Sequence, residues 1–136
     1  MYRDEKIYVI ERLVAGLSYP TMGLVGFVWL ILGLFTHAKL RPFLMYHIFQ
    51  SIFISIALYL LGMLVGFIIN ILSVVPFVNN IVLNIVMMLN SPILWGQSVI
   101  QLIIGVLLVY LAVTAFMGMY SYIPYVSDII NQNVRR

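Results

Sequence analysis

Residues 42–73 read PFLMYHIFQSIFISIALYLLGMLVGFIINILS, and the apolar character continues well beyond them. From Pro42 to Ser127 the sequence contains no Asp, Glu, Lys or Arg, although this stretch takes up well over half of the 136 positions. A second stretch without charge covers residues 13–38. A soluble domain of this size cannot bury so much apolar surface, so we expect the chain to lie in a lipid bilayer.

The overall composition also differs from that of ordinary soluble domains. Hydrophobic residues make up 64% and charged residues 8% of the sequence, and the apolar runs are continuous, which favours helices over a β-barrel. The net charge of +3 includes seven basic residues, which lie near the ends or in one short loop. Such sparse positive charge predicts contact with lipid headgroups and no binding of nucleic acid. The lack of cysteine excludes disulfides and thiolate chemistry.

Prolines and polar residues divide the apolar sequence into segments of membrane-spanning length. We predict an all-α fold in which residues 1–136 form a single transmembrane domain, an integral membrane helical bundle of about four transmembrane helices. The approximate spans and the C-terminal tail are residues 13–37, 43–72, 75–90, 93–119 and 121–136.

Three prolines shape the less regular parts of this prediction. Residues 3–18 have apolar residues at helical spacing and predict an amphipathic helix. Pro20 either kinks this helix or separates it from the next, and we favour one kinked span. The segment after Pro76 is short and rich in asparagine, so it is either a short third span or a re-entrant segment. Pro124 precedes a predicted amphipathic surface helix in the tail.

The basic residues predict the orientation of the bundle. An even number of spans places both termini on one side, with Lys39 and Arg41 on the other. The excess of positive charge near the termini favours the cytoplasmic side, or its equivalent, for both ends of the chain. The basic residues near the termini are Arg3, Lys6, Arg12, Arg135 and Arg136.

Each long span carries small and uncharged polar residues on one helix face, and we call this set the seam. Small residues let helices pack closely in lipid, where amide, hydroxyl and imidazole groups bond between helices. The seam is either the packed interior of the bundle or a hydrated path, lined by His47, Gln50, Asn70, Asn84, Gln97 and Gln101. The seam residues are Gly16, Gly23, Gly26, Gly33, His47, Gln50, Ser51, Ser55, Gly62, Gly66, Asn70, Asn84, Gln97, Gln101 and Gly105.

The predicted spans lack the residue types on which catalysis and ion pumping depend. Asp128 is the only acid after Glu11, so a Ser–His–acid arrangement is not expected. His37 and His47 lack a nearby carboxylate or thiolate that would complete an ordinary metal site. We therefore expect no catalytic residues, no metal site and no cofactor.

Three blocks of sequence resemble one known family. Tyr46–Ile52, which reads YHIFQSI, resembles the aromatic-[Asn/His]-x-x-Gln-[Ala/Ser]-Ile signature of the twenty-kilodalton membrane subunit of the chloroplast Tic translocon and its bacterial relatives. Glu11–Tyr19 is similar to the opening helix of that family. Ile123–Asp128 is similar to its closing Pro-x-[Ile/Val]-Ser-Asp segment. The blocks follow the order of the family.

This resemblance implies a non-enzymatic translocon channel subunit for preprotein import or translocation. The expected location is the plastid inner envelope or thylakoid, or a bacterial or cyanobacterial inner membrane, and the expected partners are lipid, other membrane subunits and a passenger polypeptide. The alternative is a small structural or assembly subunit of a larger complex, for example a photosynthetic one. For the motif residues we expect structural roles. His47 and Gln50 should bond to a neighbouring helix backbone, and Ser127 should be the N-cap of the tail helix.

Overall fold

The computed structural model describes residues 8–134, and the regular elements in this range are all α-helices. Their bounds are α1 Val9–Ser18, α2 Leu24–Thr36, α3 Pro42–Ser73, α4 Pro76–Asn90, α5 Val99–Phe116 and α6 Val126–Val134. Within the described range no β-strand occurs, and Leu94 and Gln97 form an isolated bridge. The all-α prediction is therefore confirmed for these residues. Residues 1–7 and 135–136, including the start of the predicted N-terminal helix, lie outside them.

Two helices, α3 and α5, are long and apolar enough to cross a bilayer. The 32 residues of α3 and the 18 residues of α5 extend about 48 and 27 Å, compared with a hydrocarbon core of about 30 Å. By contrast, α2 has 13 residues and α4 has 15, so each is shorter than that core. Helix length therefore supports two membrane spans among the described residues and does not confirm four.

The chain turns between α1 and α2, whereas the sequence predicts one kinked helix over residues 13–37. Pro20 lies just beyond α1, and Met22 and Gly23 adopt left-handed backbone angles, with φ of 54° and 84°. The Gly23 amide donates to the Ser18 carbonyl at 2.7 Å, a bond typical of helix C-terminal motifs. The prediction of a single helix is wrong, because the left-handed residues reverse the chain where a kink would only bend it.

The two ends of the α1–α2 hairpin lie close together. Arg41 Nε, after the loop that follows α2, lies 3.4 Å from Glu11 Oε1 near the start of α1. The Arg41 guanidinium also lies 4.3 Å from the ring centroid of Tyr8. Because Arg12 is next to Glu11 and Lys39 is close to Arg41 in sequence, these basic residues lie at one end of the first unit, whereas the sequence predicts that they lie on opposite sides of the membrane. The hairpin returns the chain to the end where it began.

At two glycines, the backbone of this hairpin lies close to side chains of other helices. A Cβ on Gly26 of α2 would lie only 2.9 Å from Ile48 Cγ2 of α3. A Cβ on Gly16 of α1 would overlap the ring of Phe116 at the end of α5. Glycine at these two positions therefore permits contacts that any larger residue would obstruct.

The described residues divide into two compact units. The first unit contains residues 8–56 and 108–134, and the second contains residues 57–107. The first unit holds an apolar core to which α1, α3 and α5 contribute. Its fully buried apolar side chains include Ala15, Phe43, Ile48, Leu111 and Ala115.

The second unit presents an uncharged and mostly apolar surface. It comprises the second half of α3, all of α4 and the first part of α5, and contains no Asp, Glu, Lys or Arg. Ser98 is its only buried residue. Trp95 is 95% exposed at a tight turn, in which Trp95 and Gly96 both have positive φ. This unit therefore has almost no interior of its own.

Candidate functional site

The first unit contains a group of mutually hydrogen-bonded side chains, which we call the buried polar cluster. It joins residues that are up to 108 positions apart in sequence, and each member is at most 2% exposed. The members are Tyr19, Tyr46, His47, Gln50, Ser121 and Ser127.

Four parts of the fold supply these side chains. The first three turns of α3 carry Tyr46, His47 and Gln50, and Gln50 lies four and three residues after the other two, which directs all three to one side of the helix. Tyr19 lies at the end of α1, where the chain begins its turn. Ser121 comes from the loop after α5, and Ser127 is the second residue of α6. The cluster therefore ties the α1–α2 hairpin, α3, the loop after α5 and α6 together.

The loop after α5 depends on Gly118. This residue has φ of 75°, and a Cβ there would lie 2.8 Å from Arg12 Nε. Any other residue would strain the backbone and also displace the Arg12 side chain. That Nε is buried and has no hydrogen-bond partner among the described residues. Gly118 thus allows the chain to leave α5 beside α1 and to bring Ser121 into the cluster.

Tyr19, His47 and Gln50 form the centre of the cluster. Tyr19 Oη lies 2.7 Å from both His47 Nδ1 and Gln50 Oε1. His47 Nε2 lies 2.9 Å from the Met119 carbonyl, and since a carbonyl only accepts, Nε2 carries a proton and donates it. In neutral His47, Nδ1 is therefore an acceptor, so one Tyr19 proton lies between two acceptors. These contacts fix the ring of His47 at both nitrogens.

Tyr46 and the two serines form the second part of the cluster. The Tyr46 hydroxyl donates to the Ser121 carbonyl and lies 2.8 Å from Ser127 Oγ. Ser127 Oγ also accepts the Ile123 amide at 2.7 Å. Ser121 Oγ donates to Gln50 Oε1 at 2.8 Å and so connects the two parts.

Aromatic rings enclose the His47 imidazole. The Phe43 ring centroid lies 4.7 Å from that of His47, and the Tyr120 ring stacks on it at 6.1 Å with an interplanar angle of 22°. Tyr19 and Tyr46 present their rings nearly perpendicular to it. The cluster is fully buried, so a substrate has no open position beside His47. Its geometry suits the joining of helices.

The described residues contain no assembled set of metal ligands. Nowhere in the range 8–134 do three or more His, Cys, Asp or Glu side chains come together. Asp128 is exposed, with its carboxylate 3.3 Å from the Tyr122 hydroxyl, and Glu11 pairs with Arg41. The acids that catalysis at His47 would require therefore have other contacts.

The seam residues fall into groups with different surroundings. His47 and Gln50 belong to the cluster, while Ser51 and Ser55 donate to backbone carbonyls of their own helix at 2.8 Å. In the second unit Gln101 is exposed, and its side chain accepts the Ser98 amide at 3.0 Å. The exposed polar residues of that unit also include Asn70, Asn84 and Gln97.

The seam glycines divide in the same way. In the first unit, a Cβ on any of four glycines would meet a neighbouring side chain within 3.4 Å. In the second unit, a Cβ on any of three would meet nothing within 4 Å. The first group is Gly16, Gly23, Gly26 and Gly33, and the second is Gly62, Gly66 and Gly105.

Sequence reasoning missed four members of the cluster as site residues. Tyr19 and Tyr46 resemble the tyrosines common at membrane interfaces, and Ser121 lies in no regular pattern. Ser127 is predicted as the N-cap of the tail helix, but its hydroxyl accepts the Ile123 amide and contacts Tyr46 inside the cluster. That prediction is wrong, because α6 begins one residue earlier, at Val126. His47 and Gln50 do bond to backbone carbonyls, but these belong to Met119 and Ser121 in the loop after α5 and not to a neighbouring helix as predicted.

Comparison of the chain with protein-family models, with curated proteins and with solved structures gave no match. The resemblance to the Tic twenty-kilodalton subunit family therefore stays a prediction from the three sequence blocks. Each block supplies the cluster with at least one side chain: Tyr19 from the first, Tyr46 from the second and Ser127 from the third. The blocks are distant in sequence and contribute to one buried hydrogen-bonded network.

Proposed function

We propose that this chain is a non-enzymatic, multi-pass membrane subunit of a protein-translocating complex. The observation that carries the proposal is the surface of the second unit. Residues 57–107 contain no charge, yet their apolar side chains are largely exposed, including Phe67 at 65% and Phe77 at 88%. So large an apolar surface requires lipid or the apolar surface of another protein around it.

Within the membrane, we assign α3 and α5 as the full spans. The length of α3 exceeds the bilayer core and that of α5 is close to it, whereas α4 is the short third segment of the predicted bundle. The α1–α2 hairpin enters and leaves at one end, so it takes the place of the predicted first span. Arg12, Lys39 and Arg41 then share one side of the membrane, and their positive charge favours the cytoplasm or its equivalent for that side.

Three side-chain amides of the second unit support the proposal that the chain functions in a complex. In the part of the chain that the structure describes, the side chains of Asn70, Asn84 and Gln97 form no hydrogen bond. Amides in lipid associate with polar groups of neighbouring helices, because the alternative is an unsatisfied donor in hydrocarbon. These three side chains are therefore suited to contacts with another subunit or with a passenger polypeptide.

Photo-crosslinking in native membranes tests this proposal. A photoreactive amino acid at Asn84 or Gln97 should crosslink to other membrane proteins or to a translocating polypeptide, and a probe at the 82%-exposed Tyr125 of the first unit is the comparison. Crosslinks to a passenger polypeptide support the translocon function. Recovery as an uncrosslinked monomer after mild extraction contradicts both this function and assembly into any complex.

A second candidate function is that of a structural or assembly subunit of a larger, for example photosynthetic, complex. It uses the same exposed surface, but stable partner helices or pigment-bearing proteins cover it. The identity of the crosslinked partner separates the two functions. The corresponding locations are the plastid inner envelope or a bacterial inner membrane for translocation, and the thylakoid for a photosynthetic complex.

A further inference from the structure

Two apolar grooves of the first unit meet on one face of α3. The first groove lies between α2 and α3, is lined by Leu30 and Leu34, and has a volume of about 410 Å³. The second lies between α3 and α6, is lined by Phe53 and Ile130, and has a volume of about 370 Å³. Met45 and Phe49 line both grooves and form the ridge between them.

The shape of this surface matches a molecule with two apolar branches. Each groove is within the size range of ordinary ligand sites, about 300–1,000 Å³, and the lining of both contains no charged side chain. The ridge residue Phe49 and the neighbouring Phe53 are 41% and 40% exposed, so the grooves open outward. A rod-like apolar segment would fill one groove and leave the other empty, whereas the two acyl chains of a phospholipid would fill both.

A basic residue lies at the first groove. Ala38 and Leu40 both belong to its lining, and Lys39 lies between them with an exposed side chain. Glu11, which is at the same end of the first unit, is already paired with Arg41. The local charge therefore remains positive and complements a negatively charged headgroup.

We propose that this surface binds one anionic phospholipid. One acyl chain lies in each groove, on either side of the Met45–Phe49 ridge, and the phosphate lies near Lys39. The proposal rests on the membrane location in the proposed function and adds a specific ligand to it. It differs from general lipid contact because it requires a preference for anionic lipid at this position alone.

Quenching by brominated lipid tests the preference. Trp29 and Trp95, the two native tryptophans, are replaced by Phe, and Phe53→Trp places a reporter in the second groove without altering the ridge. In vesicles, brominated phosphatidylglycerol should associate with this reporter about fivefold more strongly than brominated phosphatidylcholine, the factor expected for one cation near a phosphate. Phe67→Trp, on the 65%-exposed part of α3 in the second unit, is the matched control and should show no preference.

A charge substitution separates the ligand from the fold. Lys39→Gln should remove the preference at the Phe53→Trp reporter, and Lys39→Arg should retain it. Equal quenching by both lipids at that reporter, with strong quenching of the Phe67→Trp control, overturns the lipid site and leaves the membrane location intact. No quenching at either reporter overturns the membrane location itself.

Native mass spectrometry of the unaltered chain gives an independent measurement. Released gently from detergent, the protein should retain one phosphatidylglycerol in preference to phosphatidylcholine, and Lys39→Gln should lose that preference. Retention of both lipids in equal amounts contradicts the proposal even if the tryptophan variants do not fold.

Discussion

At the residue scale, the Tyr46 hydroxyl joins α3 to two later segments of the chain. It donates to the Ser121 carbonyl and contacts Ser127 Oγ, and all three residues are buried. Tyr46→Phe keeps the ring but removes the hydroxyl that joins these two groups. They then retain the Ile123 amide at Ser127 Oγ and Gln50 Nε2 at 3.4 Å from each. We expect the free energy of unfolding to fall by about 0.5–1.5 kcal/mol, the usual net contribution of a hydrogen bond. Thermal unfolding in mild detergent measures the change.

The matched control removes a hydroxyl that has no such role. Tyr59 lies on the same helix, and its side chain is 69% exposed. Tyr59→Phe should change the unfolding temperature little, because the lost hydroxyl was accessible to its surroundings. An equal effect of the two substitutions would show that the cluster does not stabilise the first unit.

At the element scale, helix packing depends on which glycines are closely approached. Gly16→Ala places a methyl group against the Phe116 ring and should destabilise the first unit by about 1–3 kcal/mol, since an overpacked site shifts its neighbours. Gly66→Ala adds the same group where nothing lies within 4 Å, and should be neutral or slightly stabilising because alanine favours helix. Unfolding in detergent distinguishes them. Similar destabilisation by both would contradict the packing of α1 against α5.

The α1–α2 hairpin makes a prediction about sidedness. The chain has no cysteine, so single cysteines can be introduced at Val9, which is 71% exposed, and at Lys39. In sealed vesicles, a membrane-impermeant maleimide should label both positions from the same side, because the hairpin returns the chain to its starting end. Labelling from opposite sides would mean that residues 13–37 cross the membrane after all.

The bounds of α3 and α4 were predictable from sequence almost to the residue, whereas the start of α5 at Val99 and the hairpin were not. Pro42 and Pro76 each begin a helix, as proline does at a first helical position, and the long apolar run between them admits one continuous helix. Pro20 is compatible with either a kink or a break. The left-handed Met22 gives no sequence signal, because methionine rarely adopts positive φ.

The cluster was predictable only in part. Its α3 members stand out, since His47 and Gln50 are polar residues within an apolar helix. Tyr19 and Ser127 are ordinary residues for a helix end and a tail, and only the folded chain brings them to the Tyr46 side of α3. Such contacts depend on the path of the hairpin and of the loop after α5, and local periodicity does not specify that path.

At the scale of the whole molecule, the two units divide the physical tasks. The first unit contains the buried core, the hydrogen-bonded cluster and every charged residue of the described range. The second unit buries only Ser98, and the side-chain amides of Asn70, Asn84 and Gln97 have no hydrogen-bond partner among the described residues. The first unit is therefore stabilised by its own interior, whereas the second unit depends on its surroundings. We therefore expect substitutions in the second unit to affect association more than stability.

Asn84 provides a test of that division. Asn84→Leu removes an exposed amide from α4 while keeping the helix apolar, so the unfolding temperature of the isolated protein should hardly change. The affinity for the partner subunit should fall about threefold, which corresponds to the typical 0.6 kcal/mol or so of a hydrogen bond between helices in a membrane. Partner recovery after mild extraction, measured at several protein concentrations, reports the change.

Ile81→Leu is the matched control, since Ile81 is 62% exposed and lies one helical turn before Asn84. The substitution changes the shape of one apolar side chain on α4 and keeps every side-chain amide, so partner recovery should stay the same. If both substitutions weaken recovery equally, the association depends on the packing of the α4 surface and not on hydrogen bonds of its amides. If Asn84→Leu lowers the unfolding temperature of the isolated protein, Asn84 stabilises the chain itself, and the division of tasks between the two units is wrong.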